Sequence, residues 1–157
     1  MSSDELIVPP DVVYVTYIKA SSERIWDALT SSEMAGKMFF GVTAESDWTQ
    51  GAQWVYFRDG VKDVHGEVLI SDKPRKLKLS WRVGGSPEMS AIPPAFITYD
   101  IEPVGDVTRL TMTQHQPKPI PRKFYEGGLR GWPVIMSILK SVLETGEGFV
   151  VTMEPPK

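Results

Sequence analysis

The 157-residue sequence contains no cysteine, which excludes a disulfide framework and thiolate metal ligation. Histidine is scarce, with two residues, and neither has carboxylates around it at a metal-ligand spacing. No metal and no cofactor is therefore expected. No apolar run approaches the ~18 residues of a membrane span, and Met1-Ser2-Ser3-Asp4-Glu5-Leu6 lacks the basic patch and apolar run of a leader. A cytoplasmic protein with no membrane partner is the expectation. Nor is there an excess of positive charge: 17 Lys and Arg against 20 Asp and Glu leave a net charge of −3. Nucleic acid and anionic lipid both favour a basic face, so neither is expected as a partner. There is no Gly-x-Ser-x-Gly elbow, no phosphate loop and no internal repeat.

What the sequence does contain is organised around residues 132–146. Trp132, Ile135, Ile138, Leu139, Val142 and Leu143 recur three or four apart, the period of one buried helical face. Pro133 suits a first helical turn and Gly146 a left-handed stop, so the spacing predicts a helix from Trp132 to Gly146. Burying six such side chains is worth on the order of 10 kcal/mol gross, so this helix must lie across a broad apolar surface.

Upstream, residues 1–11 read as a tail ending at Pro9-Pro10, and 151–157 as a second tail, leaving 12–150 as one domain. Residues 12–19 have strand composition. Ser21 then caps a helix over Ser22–Leu29, and Thr30 with Glu33 has the spacing to cap a second one through Met34 to Phe39. Strands follow at 42–47, Gln53–Arg58, 64–71, Lys76–Val83, 95–102 and Val107–His115, separated by turn-forming residues. Lys76–Val83 alternates most cleanly, with Leu77, Leu79, Trp81 and Val83 on its dry face. The implied fold is α+β: a curved antiparallel sheet of six or seven strands wrapped around a long C-terminal helix, with two short helices after the first strand. Such a grip leaves an interior cleft as a natural by-product.

Several stretches carry a family resemblance. They are residues 20–30, then Gln50-Gly51-Ala52-Gln53-Trp54, then Gly66-Glu67-Val68-Leu69-Ile70 with Pro74 and Trp81. Thr108-Arg109-Leu110-Thr111-Met112 and Gly131-Trp132 with Leu139-Lys140 and Leu143-Glu144 complete the set. Together they resemble bacterial proteins similar to the activator of the ninety-kilodalton heat-shock protein ATPase. That resemblance, over about residues 12–146, implies the START-like, birch-pollen-allergen-like helix-grip fold of the SRPBCC superfamily. Ala52 and Ser22 depart from it, standing where glycine and proline are common. What the superfamily implies about activity is broad: members bind lipids, hormones or polyketides in the cavity, and some cyclise polyketides.

Three functions follow as alternatives. The first is binding of a small hydrophobic or aromatic ligand in the cleft, by Trp81, Met112, Trp132, Met136 and Leu139, in a monomer or homodimer. The segment 117–131, rich in proline and glycine, would then be its lid. The second is a cyclase or aromatase, whose acid/base groups would come from Glu67, Tyr99, His65 and Arg109; no spacing among them demands catalysis, and no catalytic residue is assigned. The third is a co-chaperone-like interaction domain, which would expose an apolar patch. Alternation points His115 to solvent and puts His65 beside Glu67 on one strand face. Gly127-Gly128-Leu129-Arg130-Gly131 reads as hinge or helix entry, and Lys73, Arg75, Lys76, Lys78 and Arg82 as a solvated hairpin face.

Overall fold

A computed structural model describes residues 5–152. Its order is β1 (Leu6–Ile7), β2 (Val12–Ile18), α1 (Ser22–Leu29), α2 (Ser32–Met38), β3 (Thr43–Ser46), β4 (Gln53–Arg58), β5 (Val61–Asp72) and β6 (Lys76–Val83). There follow α3 (Pro87–Ser90), β7 (Ala95–Val104), β8 (Val107–His115), β9 (Ile120–Pro121) and α4 (Arg122–Thr145). Seven strands form one antiparallel sheet in the order β2-β8-β7-β6-β5-β4-β3. The expected helix-grip architecture is the one observed.

Inward-facing residues of the sheet alternate as period-two patterning requires. Leu77 and Leu79 of β6, Ile97, Tyr99 and Ile101 of β7, and Leu110 and Met112 of β8 are all buried. Against them α4 lays Trp132, Ile135, Met136, Leu139 and Leu143, and α1 and α2 add Ile25, Trp26, Met34 and Met38, in one core. Gly66 permits the closest approach within the sheet, since a Cβ there would stand 1.9 Å from the carbonyl oxygen of Ser80. That same carbonyl accepts the indole N–H of Trp54 at 3.0 Å.

Three local expectations need correcting. The cap of α2 is Ser31, whose Oγ accepts the Met34 N–H at 3.2 Å; Thr30 is instead occupied in closing α1, its hydroxyl donating to the Trp26 carbonyl at 2.9 Å. The stretch expected to be an N-terminal tail contains β1, which pairs antiparallel with β9. The main-chain N–H of Arg122 adds a bond to the Glu5 carbonyl at 2.8 Å. Residues 1–4 and 153–157, within the two expected tails, lie outside the described residues. Third, α4 begins at Arg122, so Pro133 lies inside the helix. Packing of Phe124, Gly128 and Trp132 beside the sheet outweighs the penalty that Gly127, Gly128, Gly131 and Pro133 impose on helix propensity. The far end is as expected, with Gly146 at φ 83° donating its N–H to the Val142 carbonyl.

Among the described residues no helix is long and apolar enough to cross a membrane.

Candidate functional site

The site is built where the start of α4 meets the ends of β6, β7 and β8. Trp81 continues the dry face of β6 beyond Leu77 and Leu79 and is only half-buried, because the strand there runs out past the core. Trp132 reaches it from α4, with ring centroids 5.6 Å apart and planes at 56°. Its orientation is set by a hydrogen bond, the indole N–H donating to Oε1 of Gln114 at 2.6 Å. Gln114 shares the inward face of β8 with Leu110 and Met112, at the strand end nearest the opening.

One residue beyond β8, Gln116 is buried, and its Nε2 donates to the Pro93 carbonyl at 3.0 Å. This pins the loop after β6 against the sheet. That loop holds α3, capped by Ser86 Oγ accepting the Met89 N–H at 3.2 Å, and Lys123 of α4 pairs with Glu88 of α3 at 3.1 Å. Between these elements lies a pocket of about 190 Å³, walled by Trp81, Ile92, Phe124 and Trp132 with Gln114 and Gln116 beside them.

Beneath the pocket the interior is filled. Phe39, Trp54, Tyr56, Trp81 and Trp132 form a continuous ring cluster, with Trp54–Trp81 and Trp54–Tyr56 centroids both 4.9 Å apart. Phe39 meets Trp132 edge-on at 5.9 Å. The opening therefore stops at the outer tryptophans. Of the five residues expected to contact a ligand, Trp81 and Trp132 line the pocket, whereas Met112, Met136 and Leu139 are buried in the core below it. The segment expected to act as a lid is instead β9 followed by the first turns of α4.

Ile92, Gln114, Gln116 and Phe124 were not among the expected site residues, and two of them escaped sequence reading for different reasons. Gln114 was legible, lying two residues beyond Met112 on the same strand face. Phe124 was hidden because the glycines and prolines around it masked a helical period.

The polar candidates are scattered. Tyr99 sits in the core beside Tyr56. Burial raises both phenol pKa values well above the usual range, and Tyr56 adds electrostatically to the effect on Tyr99. Glu67 is exposed on β5, so no buried His65–Glu67 pair forms. His65 titrates below its usual pKa, through partial desolvation first and then the charges of Lys62 and Arg82. Arg109 pairs with Glu102 at the surface. His115 is exposed as expected, its Nδ1 2.8 Å from Asp11. The basic hairpin is largely neutralised, with Arg75 near Asp72 at 3.1 Å, Lys76 near Asp100 at 3.6 Å and Lys73 near Asp27 at 3.9 Å.

Comparison with known proteins gives three kinds of result. The family described as Activator of Hsp90 ATPase homolog 1-like protein matches residues 19–144. No curated protein matches the sequence. Among solved structures, a protein from Mesorhizobium loti is similar with a TM-score of 0.73 at 23% identity, over 85% of this chain and 96% of that one. The Aha1 dimer from Colwellia psychrerythraea gives 0.72 at 20% identity, over 89% and 100% of the two chains. An HSP90 activator from Plasmodium falciparum gives 0.60 at 17%, over 76% and 86%. At these identities the structural likeness shows the fold alone.

Proposed function

The chain belongs to the Activator of Hsp90 ATPase homolog 1-like family, and on that footing we propose that it binds a small hydrophobic or aromatic molecule between the sheet and α4. The observation that carries this reading is the pocket of about 190 Å³ with two indoles, a phenyl ring and two glutamine amides on its walls. A cavity of roughly 150 Å³ accommodates benzene, so the space suits one aromatic ring with a modest substituent. Trp81 and Trp132 make the direct contacts. Met112, Met136 and Leu139 lie in the core outside the lining, where the two thioethers repack more readily than branched side chains. Glu67, Tyr99, His65 and Arg109 are absent from the lining, which favours binding over cyclase or aromatase chemistry.

The test is a titration with single-ring aromatics followed by tryptophan fluorescence and ligand-observed NMR. Saturable binding is expected, weakened in Trp132→Phe and abolished in Gly128→Leu. A Cβ at Gly128 would stand 3.7 Å from both Gln114 and Trp132, so the longer side chain projects into the space the ligand needs. Failure of every ligand in both measurements would leave the interaction-module reading in its place.

That second reading has an observation of its own. A groove of about 470 Å³ runs between α2, α4 and the segment after Gly146, with Phe40, Phe149 and Val150 among its walls. All three are exposed, Val150 by 90%. If this face receives a chaperone of the ninety-kilodalton class, Phe149→Asp should remove binding in a calorimetric titration while leaving aromatic-ligand binding intact.

A further inference from the structure

The two glutamines of the aromatic pocket are held in opposite senses. An indole N–H can only donate, so the 2.6 Å bond from Trp132 fixes Gln114 with its amide oxygen towards that ring. The amide nitrogen of Gln114 is then turned away, and it has no acceptor among the described residues. Gln116 is held the other way round. Its Nε2 donates to the Pro93 carbonyl at 3.0 Å and towards the Pro94 carbonyl at 3.4 Å, and carbonyls can only accept. Its Oε1 is left without a donor among the described residues.

Neither free atom is sealed inside the protein. Among the described residues the Ser22 hydroxyl is the one buried side-chain polar atom that lacks both a partner and accessible surface, so Gln114 Nε2 and Gln116 Oε1 each keep some surface. Gln116 is only 5% exposed and lines the pocket, so the surface left to its oxygen opens there. For Gln114, a Cβ placed on Gly128 would stand 3.7 Å from its Oε1 and 4.0 Å from its Nε2. Gly128 is itself a wall of the pocket, so that donor borders the same space. One free donor and one free acceptor, on separate side chains, therefore face a cavity walled mainly by rings.

No residue of the lining carries a charge. An ionised ligand would give up its hydration here with no counter-charge to replace it. A wholly apolar ring would displace water from both amides and leave them unpaired. An uncharged group that accepts on one atom and donates from another answers both amides. We propose, on the footing of the aromatic-ligand reading of this pocket, that it selects an aromatic carboxamide. The ring lies among Trp81, Trp132 and Phe124, the ligand carbonyl accepts from Gln114 Nε2, and the ligand N–H donates to Gln116 Oε1. Two such polar contacts in an apolar pocket fix the orientation of the ring.

The test is a titration of the full chain with benzamide, acetophenone, benzoate and toluene, followed by ligand-observed NMR and tryptophan fluorescence. Acetophenone has the shape of benzamide and keeps its carbonyl, but a methyl group replaces the nitrogen, so it has nothing to donate to Gln116. Benzamide should bind about tenfold more tightly than acetophenone or benzoate. Gln114→Glu keeps an oxygen for the Trp132 N–H and replaces the free donor with a second acceptor. Benzamide binding should fall about tenfold in that variant, whereas benzamidine, a cation with donors only, should bind it more tightly than it binds the original chain. Acetophenone or benzoate binding as tightly as benzamide would overturn the selection and leave the aromatic pocket standing; so would an unchanged benzamide affinity in a folded Gln114→Glu variant. If none of the four probes binds saturably, toluene included, the aromatic reading itself fails and the selection falls with it.

Discussion

Adding a single methyl group to Gly66 would bring carbon within 1.9 Å of the Ser80 carbonyl oxygen and 2.8 Å of its hydroxyl. The obstacle is backbone, which cannot swing aside as a long side chain can. The strands would have to part, disturbing both the Trp54 bond to that carbonyl and the Glu67 N–H bond to Ser80 Oγ. Gly66→Ala should therefore cost about 1–3 kcal/mol in urea unfolding, and a loss below experimental error would mean the two strands are not so close. The buried phenols give a second prediction at this scale. In the unfolded chain Tyr56 and Tyr99 ionise near pH 10, but burial raises the pKa of each in the folded protein. Below that pH both states hold these protons and the contribution to stability is fully present. Above it the unfolded state releases protons that the folded state retains, so stability falls by about 1.4 kcal/mol per pH unit for each tyrosine. Replacing both by phenylalanine should flatten the alkaline slope of unfolding free energy; an unchanged slope would place the effect elsewhere.

At the scale of the element, α4 carries a burden that its own sequence argues against. Gly127 and Gly131 lie in its first half, where a Cβ at either would meet nothing within 4 Å. Their cost is purely conformational. Gly127→Ala and Gly131→Ala should each stabilise the protein by about 0.5–1 kcal/mol, measured by chemical denaturation. Destabilisation instead would show that these glycines hold a shape the helix needs. The other end of α4 is secured from outside. Glu144 accepts from Lys140 Nζ and from the Lys19 main-chain N–H, both at 2.8 Å. These bonds hold its carboxylate below the usual range, the Lys140 contact contributing most. Arg24 donates to the Leu143 carbonyl at 3.0 Å, supplying a partner that the last turn lacks within the helix.

At the scale of the whole molecule, residues near the start of the chain reinforce the start of its last helix. The β1–β9 pairing and the Arg122 bonds to Glu5 join positions more than a hundred residues apart. Deleting residues 1–8 should speed amide hydrogen exchange across the opening turns of α4 and around Phe124, while protection in β6, β7 and β8 persists. Uniform loss of protection would mean that the small sheet belongs to the global unfolding unit.

The order of strands and helices, the dry face of β6, the stripe from Trp132 to Leu143 and the stop at Gly146 were all legible in the sequence, because each depends on local spacing. A period of two or of three to four records which side a residue faces, and left-handed φ selects glycine. Trp81 and Trp132 could be paired in advance for the same reason, one being on the dry face of a strand and the other on the helix that crosses it. The start of α4 was not legible: three glycines and a proline signal a break, and only contact with the sheet and β9 reverses that signal. Nor was the depth of the cleft, since whether Phe39, Trp54 and Tyr56 close the space inside Trp81 and Trp132 depends on how rings from separate elements interlock.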